Sequence, residues 1–419
     1  MPNSHSLDFQ VRLDTRHCPT AGGRVHLICE LAPPSLARAI ERAPLDLVLV
    51  IDASGSMNGP KLDAVKLACA GILGRLRPGD RVSLVTFAND VLIHAHCVQP
   101  GSAAASTLER ELRGLVTRGN TNLSGGWLTG VELAGASIAG GRRASVVLLS
   151  DGQANEGVVS PSQLAEMARR SAAQGISTTC VGVGADYSTE QLGTIAEASG
   201  GRFHHASAEA EIVQVLLGEL DELSAVYLER VELALDAPQD FVVQPLGGTS
   251  GRVAGALQLV SIGSLYAGVE RKVVVALDVP PRMEGSSQVL HIALTGTLAE
   301  SGEPLTVGES VGLRWSDSLA IVIAPADLLL VEQHTAAWLE RTCADLNERG
   351  DFGQVQRLRR RFIPRMRAYA RDDVHAQAEV ARVEAQLAAA EVDMAPMVRK
   401  EMYVRSVKAP RGERDLRGS

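Results

Sequence analysis

The sequence predicts a mixed α/β protein: a doubly wound parallel-sheet domain inserted in or flanked by a β-sandwich, with a C-terminal α-helical region. Three observations support this fold class. Short apolar runs alternate with helical periodicity over residues 45–225. Strand-like runs separated by Gly, Pro and Ser turns fill residues 226–316, and helix-forming sequence follows. The expected segments are 1–40, 45–225, 226–316, 317–395 and 396–419.

Composition excludes several classes of protein. The chain has 419 residues, enough for two or three domains, and a hydrophobic content of 45% supports real cores. An aromatic content of 3% argues against binding nucleic acid or carbohydrate by stacking. The net charge of −8 argues against binding phosphate backbones. The six cysteines form no CxxC pair and are most simply reduced core residues.

The N-terminus has no basic stretch followed by an apolar one, so no secretory signal is predicted. The most apolar late window, 319–331, is too short to span a bilayer and is broken by Pro325 and Asp327. We therefore expect a cytoplasmic protein without a membrane span.

The first elements along the chain are strands. Residues 7–14 and 24–31 alternate weakly and predict two strands, which we expect to complete the later β-sandwich. The α/β domain would then be an insertion in a β-domain. Its strands are predicted at 45–51, 81–87, 91–97, 144–149, 176–183 and 202–205, with helices between them.

The second half of the chain begins with strand patterns and ends with helical ones. The predicted strands are 226–235, 240–246, 252–262, 269–279, 287–298 and 304–314. The predicted helices are 326–349, 351–371 and 373–392. The segment 396–419 is basic and lacks an apolar period, so we expect it to be disordered.

Oxygen-bearing side chains follow the first strand of the α/β domain. The apolar run Leu45–Ile51 is followed by Asp52, Ser54 and Ser56, where an open α/β sheet binds its ligands. A carboxylate and two hydroxyls, without Cys or His, form a hard oxygen site. Mg²⁺ suits it best, with Mn²⁺ and Ca²⁺ as alternatives. The alternative interpretation is an Asp-capped, Ser-rich turn before a helix.

Two further oxygen residues are predicted at the same edge of the sheet. Thr121 lies in a Gly/Asn-rich loop before a helix, and Asp151 directly follows the strand 144–149. The order Asp-x-Ser-x-Ser, then Thr, then Asp-Gly resembles a von Willebrand factor type A (VWA) domain with a metal-ion-dependent adhesion site (MIDAS). The resemblance covers residues 45–225. The larger plan of the chain, in which an N-terminal β piece, this domain, a β-sandwich and a helical tail follow one another, resembles cytoplasmic bacterial VWA proteins. Such domains have a Rossmann-like fold.

The resemblance implies a role for each of these residues. Ser54 and Ser56 would bind the cation directly, and Thr121 directly or through water. Asp52 and Asp151 would act mostly through water or by orienting ligands. A Glu or Asp of a protein partner would complete the coordination shell. The bacterial relatives often work beside AAA+ ATPases or kinase and phosphatase systems.

These observations favour a non-enzymatic, metal-dependent protein-interaction module, such as an adaptor or scaffold. One alternative is a Mg²⁺-dependent hydrolase, although no P-loop, GxSxG or HExxH motif is present. Another is a self-assembling structural component whose tail residues Glu401, Glu413 or Asp415 occupy the metal site.

A basic helix follows Asp351. Its arginines are Arg357, Arg359, Arg360, Arg361, Arg365, Arg367 and Arg371. It could bind nucleic acid or anionic lipid. We favour a solvated face that pairs with acidic neighbours, for which the region 209–240 offers candidates.

Overall fold

The computed structural model describes residues 7–35, 44–223, 225–247, 250–318 and 321–408. The chain divides into two compact units. An α/β unit ends at Val226, and a second unit combines the N-terminal strands with most of the chain from Tyr227 onward. Within the described ranges, no helix is long and apolar enough to cross a membrane.

The N-terminal strands belong to two different sheets of the second unit. They are β1 (Asp8–Leu13), β2 (His17–Cys18) and β3 (Gly23–Ala32). β1 pairs with β3 in an antiparallel manner. Both lie in a four-stranded sheet, whereas β2 lies at the end of a six-stranded one.

The α/β unit alternates strands and helices, as predicted. Its strands are β4 (Leu45–Asp52), β5 (Arg81–Phe87), β6 (Val91–Val98), β7 (Arg143–Ser150), β8 (Ser177–Val183) and β9 (Phe203–Ala206). Its helices are α1 (Pro60–Arg75), α2 (Ala103–Gly114), α3 (Leu123–Ala139), α4 (Pro161–Ala173), α5 (Thr189–Ala198) and α6 (Glu209–Leu223).

The sheet of this unit has the order β6-β5-β4-β7-β8-β9. All neighbours run parallel except the antiparallel edge strand β6. β4 is buried along its whole length, which explains its unbroken apolar run. The chain leaves β4 toward β5 on one side and later returns on the other side as β7. The strand order therefore reverses at β4, and this is where open α/β sheets bind ligands.

The remaining strands complete the two sheets of the second unit. They are β10 (Val226–Asp236), β11 (Val242–Pro245), β12 (Ser250–Ala254), β13 (Leu257–Tyr266), β14 (Arg271–Val279), β15 (Ser287–Leu298) and β16 (Pro304–Trp315). The sheets have the orders β1-β3-β14-β11 and β12-β13-β10-β15-β16-β2. Their side chains share one core, in which Leu27, Leu233 and Trp315 are almost completely buried. This arrangement is a β-sandwich.

One strand prediction was wrong. The run 252–262 is not a single strand, because the chain turns at Gly255, whose φ is +63°. β12 and β13 pair as an antiparallel hairpin on either side of this turn. A left-handed turn favours glycine, and a run of mostly strand-forming residues conceals it in the sequence.

In the described part of the chain, four helices follow the sandwich. They are α7 (Pro325–Glu348), α8 (Phe352–Ala370), α9 (Val374–Ala389) and α10 (Pro396–Lys408). Their shared core includes Leu339, Val355, Phe362 and Val383. Asp351 caps α8, because its side chain accepts a hydrogen bond from the backbone N–H of Gln354.

The prediction that 396–419 is disordered was wrong for its first part. Residues 396–408 form α10, which packs on α7 and buries Met402, Tyr403 and Val407. The guanidinium of Arg341 lies 5.4 Å from the centre of the Tyr403 ring. Packing on α7 stabilises this helix, although its sequence lacks a clear apolar period. Glu401 is exposed on it, whereas Glu413 and Asp415 lie outside the described residues.

The basic helix α8 has acidic partners, but not the predicted ones. Arg359 pairs with Glu391 at 2.5 Å, and Arg367 pairs with Glu384 on α9. Both acids come from the helical region that surrounds α8, so the candidates in 209–240 were wrong for these two arginines. Arg357, Arg360 and Arg365 are exposed.

Candidate functional site

Four loops meet at the carboxyl edge of the α/β sheet: those that follow β4, β5 and β7, and the loop before α3 that carries Thr121. Backbone hydrogen bonds hold the loops together. Arg118 N donates to Ala53 O at 2.6 Å, and Gly55 N donates to Gly119 O at 3.1 Å. Asn122 N donates to Ala88 O at 2.9 Å. The loop that carries Thr121 is therefore fixed to the loops that follow β4 and β5.

The side chains of Ser54, Ser56 and Asp151 form one hydrogen-bonded chain. Ser54 Oγ and Ser56 Oγ share a hydrogen bond of 3.1 Å. Ser56 Oγ donates to Asp151 Oδ1 at 2.7 Å, across 95 residues of sequence. Ser54 and Asp151, at the two ends of this chain, are buried, whereas Ser56, in the middle, is exposed. The hydrogen-bonded chain therefore reaches solvent at Ser56.

Thr121 lies beside this chain. A Cβ atom placed on Gly152 would lie 3.2 Å from Thr121 Oγ1 and 3.9 Å from Ser56 Oγ. Because Gly152 has no side chain, the hydroxyls of Thr121 and Ser56 can both lie close to the space beside it. The backbone N–H of Thr121 donates to Asn155 Oδ1 at 3.2 Å, which orients the residue.

Asp52 is completely buried below the hydroxyls. Its Oδ1 accepts a hydrogen bond from Ser54 N at 2.8 Å, and its Oδ2 accepts one from Ser150 Oγ at 2.5 Å. Burial raises the pKa of Asp52, and the hydrogen bonds from Ser150 and Ser54 offset this effect in part. With both oxygens engaged, this carboxylate is held in one orientation.

All five predicted residues are thus collected at one edge of one sheet. Three further residues were not predicted from the sequence. Ser150 orients Asp52, Asn155 orients Thr121, and Lys61 contacts Asp151. Lys61 Nζ contacts Asp151 Oδ2 at 2.5 Å. One signal could have revealed it: a lysine in the first turn of α1 opposes the helix dipole, so it suggests a nearby anion.

His204 and His205, on the edge strand β9, contact side chains of the same unit. His204 Nε2 lies 3.0 Å from the buried Glu219 Oε2, and Thr179 Oγ1 donates to Glu219 Oε1 at 2.6 Å. His205 Nδ1 and Tyr187 OH share a hydrogen bond of 2.8 Å. Within the described ranges, no group of three or more His, Cys, Asp or Glu side chains could hold a metal. The five-residue site differs from such groups because three of its members are hydroxyls.

The fold and this edge define a doubly wound α/β domain with an oxygen-rich site where its strand order reverses. Residues 46–217 match the family model of the von Willebrand factor type A domain. This part of the chain is therefore a VWA domain, and the predicted α/β fold class is confirmed.

Curated proteins match beyond this domain. An uncharacterized protein from Synechocystis is 25% identical over 309 residues, which are 70% of this chain and 72% of that protein. Pig inter-alpha-trypsin inhibitor heavy chain H1 is 30% identical over 239 residues, which are 55% of this chain. The chain spans only 26% of the length of that heavy chain.

Two solved structures share the fold over nearly the whole chain. A von Willebrand factor type A protein from Catenulispora acidiphila has a TM-score of 0.71 and 16% identity, with 98% of each chain covered. The ArnB paralog VWA2 from Sulfolobus acidocaldarius has a TM-score of 0.59 and 16% identity, covering 94% of this chain and 98% of its own. At this identity the likeness establishes the fold alone.

Proposed function

We propose that this protein is a metal-dependent protein-interaction module. In this proposal a divalent cation binds at the five-residue site, and a carboxylate of a protein partner completes its coordination shell. The observation that carries the proposal is the hydrogen-bonded chain Ser54–Ser56–Asp151, whose middle residue, Ser56, is exposed and has Thr121 beside it.

The donor set fits a hard cation. All five side chains offer oxygen, which suits Mg²⁺ first and Mn²⁺ or Ca²⁺ as alternatives. Ser54, Ser56 and Thr121 would hold the cation. Asp52 and Asp151 would orient these hydroxyls, since Asp52 accepts from Ser54 N and Asp151 accepts from Ser56 Oγ. When bound, the cation supplies a Lewis-acidic centre for an anionic oxygen.

The same contacts favour binding over catalysis. Both oxygens of Asp52 accept hydrogen bonds, and the two oxygens of Asp151 are engaged by Ser56 and Lys61. Neither carboxylate therefore presents an unengaged oxygen to a water molecule, which disfavours either as a general base. We therefore propose a non-enzymatic role. That the partner belongs to an AAA+ ATPase or a kinase and phosphatase system stays a prediction.

Calorimetric titration of the EDTA-treated protein with MgCl₂ tests the metal site. We expect the wild type to bind Mg²⁺ and Ser54→Ala to bind it at least about tenfold more weakly, because the substitution removes a buried hydroxyl oxygen that would bind the cation. The control is Ser188→Ala, which removes a serine of the same unit that caps α5. Equal Mg²⁺ affinity in wild type and Ser54→Ala would contradict the proposed site.

A pull-down from cell extract with and without Mg²⁺ tests the partner. Proteins held through a cation and a carboxylate should elute with EDTA, and they should not be retained by Ser54→Ala. Retention of the same partners after EDTA and on Ser54→Ala would exclude binding through this site.

A further inference from the structure

Lys61 lies against the candidate cation site. It is the second residue of α1, and its Nζ lies 2.5 Å from Asp151 Oδ2 and 3.5 Å from Ser56 O. A Cβ atom placed on Gly184, just after β8, would lie 3.7 Å from Lys61 Nζ, so this glycine lies beside the ammonium. The Lys61 side chain is 28% exposed, whereas that of Asp151 is fully buried.

This position is unfavourable for a cation unless an anion compensates. The N-terminus of a helix carries partial positive charge, which repels an ammonium in the first turn. Among the described residues, Asp151 is the one carboxylate with which Lys61 forms an ion pair. The interaction with the site therefore accounts for where the ammonium lies.

The charges at the site follow from these contacts. The Lys61 ammonium contacts Asp151, and Asp52 holds the backbone of Ser54 in the same site. With both carboxylates ionised and one ammonium, the site carries a single net negative charge with no metal bound. A divalent cation changes this to a single net positive charge. Without Lys61, the loaded site would be neutral.

We propose that Lys61 sets this charge and thereby couples the two ligands of the site. Its ammonium weakens cation binding when no anion is present, and it gives the loaded site a positive charge that one carboxylate neutralises. Because binding free energies are reciprocal, the anion tightens cation binding by the factor by which the cation tightens anion binding. Lys61 is thus a positioning residue, and this inference rests on the proposed cation-binding function.

The test uses the full chain with Mg²⁺ as the cation and acetate as the carboxylate probe. Lys61→Gln removes the charge but keeps a hydrogen-bond donor for Asp151. We expect Lys61→Gln to bind Mg²⁺ about tenfold more tightly than wild type in chloride buffer. In acetate at equal ionic strength, Mg²⁺ affinity should rise more for wild type than for the variant.

Two controls separate charge at the site from charge elsewhere. Lys66→Gln removes an ammonium from the same helix, where it pairs with the exposed Asp63 at 3.6 Å, and should leave both affinities unchanged. Lys61→Arg keeps the charge and should stay close to wild type. Thermal unfolding in EDTA provides a readout without metal. There Lys61→Gln should unfold at a lower temperature than Lys66→Gln, because it leaves the buried Asp151 without its counter-ion.

The outcomes separate the role of Lys61 from the proposed metal-binding function. Equal Mg²⁺ affinity in wild type and Lys61→Gln, with an equal effect of acetate, would overturn the role of Lys61 and leave the metal site intact. Absence of Mg²⁺ binding in both proteins would overturn the proposed function and this inference together.

Discussion

At the scale of single residues, Glu332 on α7 is a buried carboxyl with little support. Its side chain is about 1% exposed, and its Oε2 has no hydrogen-bond partner among the described residues. Burial, together with the charge of Glu379, raises the pKa of Glu332 to about 8. The group is therefore protonated in the folded protein at neutral pH, although it ionises in the unfolded chain.

This shift makes stability depend on pH. Since the folded pKa is above the unfolded one, the stabilising contribution is present below the ordinary carboxyl pKa and is lost as pH rises through about 8. Between pH 6 and pH 8.5, we expect wild type to lose about 2 kcal/mol more unfolding free energy than Glu332→Gln. Urea unfolding at both pH values measures this. Glu309→Gln, at an exposed carboxyl of the same unit, should behave as wild type, and an identical pH slope for Glu332→Gln would refute the prediction.

Sequence reasoning located the site because its residues follow strands. Asp52 and Asp151 come directly after apolar runs, and the edge of a parallel sheet brings such positions together. Contacts that depend on the reach of a side chain were not predictable. Lys61 is five residues beyond Ser56, and its contact with Asp151 depends on where α1 starts and on the rotamers of a long side chain.

At the scale of elements, α10 shows how neighbours decide whether a segment is ordered. Its sequence has no strong period, yet Met402, Tyr403 and Val407 are buried where it packs on α7. Intrinsic propensity is a weak guide for such short helices, because packing supplies most of their stability. The long helices α7 and α8 were predictable for the opposite reason. Gly350 favours the end of one helix and Asp351 caps the start of the next, and both effects depend only on local sequence.

The packing of α10 can be measured by truncating one side chain. Met402 is about 2% exposed, so Met402→Ala should reduce the unfolding free energy by about 2–3 kcal/mol through loss of buried contacts and a residual cavity. Glu401→Ala is the matched control at the adjacent exposed position and should change stability by less than about 0.5 kcal/mol. Equal, small effects of both substitutions would indicate that α10 is not docked.

At the scale of the whole molecule, the α/β core and the sandwich core are built from interleaved segments of the chain. The α/β core contains Leu47, Val65 and Leu149, and the sandwich core contains Leu27 and Leu233. Because the first core is continuous in sequence, it has what a domain needs to fold alone.

Expression of residues 44–226 tests this independence. We expect this fragment to unfold cooperatively and to bind Mg²⁺ with the affinity of the full chain, because every residue of the proposed site lies inside it. The measurements are thermal unfolding by circular dichroism and calorimetry with MgCl₂. Ser54→Ala in the fragment is the control, and a fragment that folds but has lost the Mg²⁺ affinity would show that the site depends on the second unit.

The pairing of β3 with β14 leaves β3 without this neighbour for part of the time that the nascent chain is being synthesised. Leu27 faces Val275 in this ladder, and Arg24 pairs with Asp278 across 254 residues. Ribosomes add about 5–20 residues per second, so the apolar strand β3 waits roughly 10–50 s for its partner. During this interval the inserted VWA domain can fold completely. A chaperone that binds β3, or another chain that pairs with its free edge, would therefore act during translation, before β14 has been synthesised.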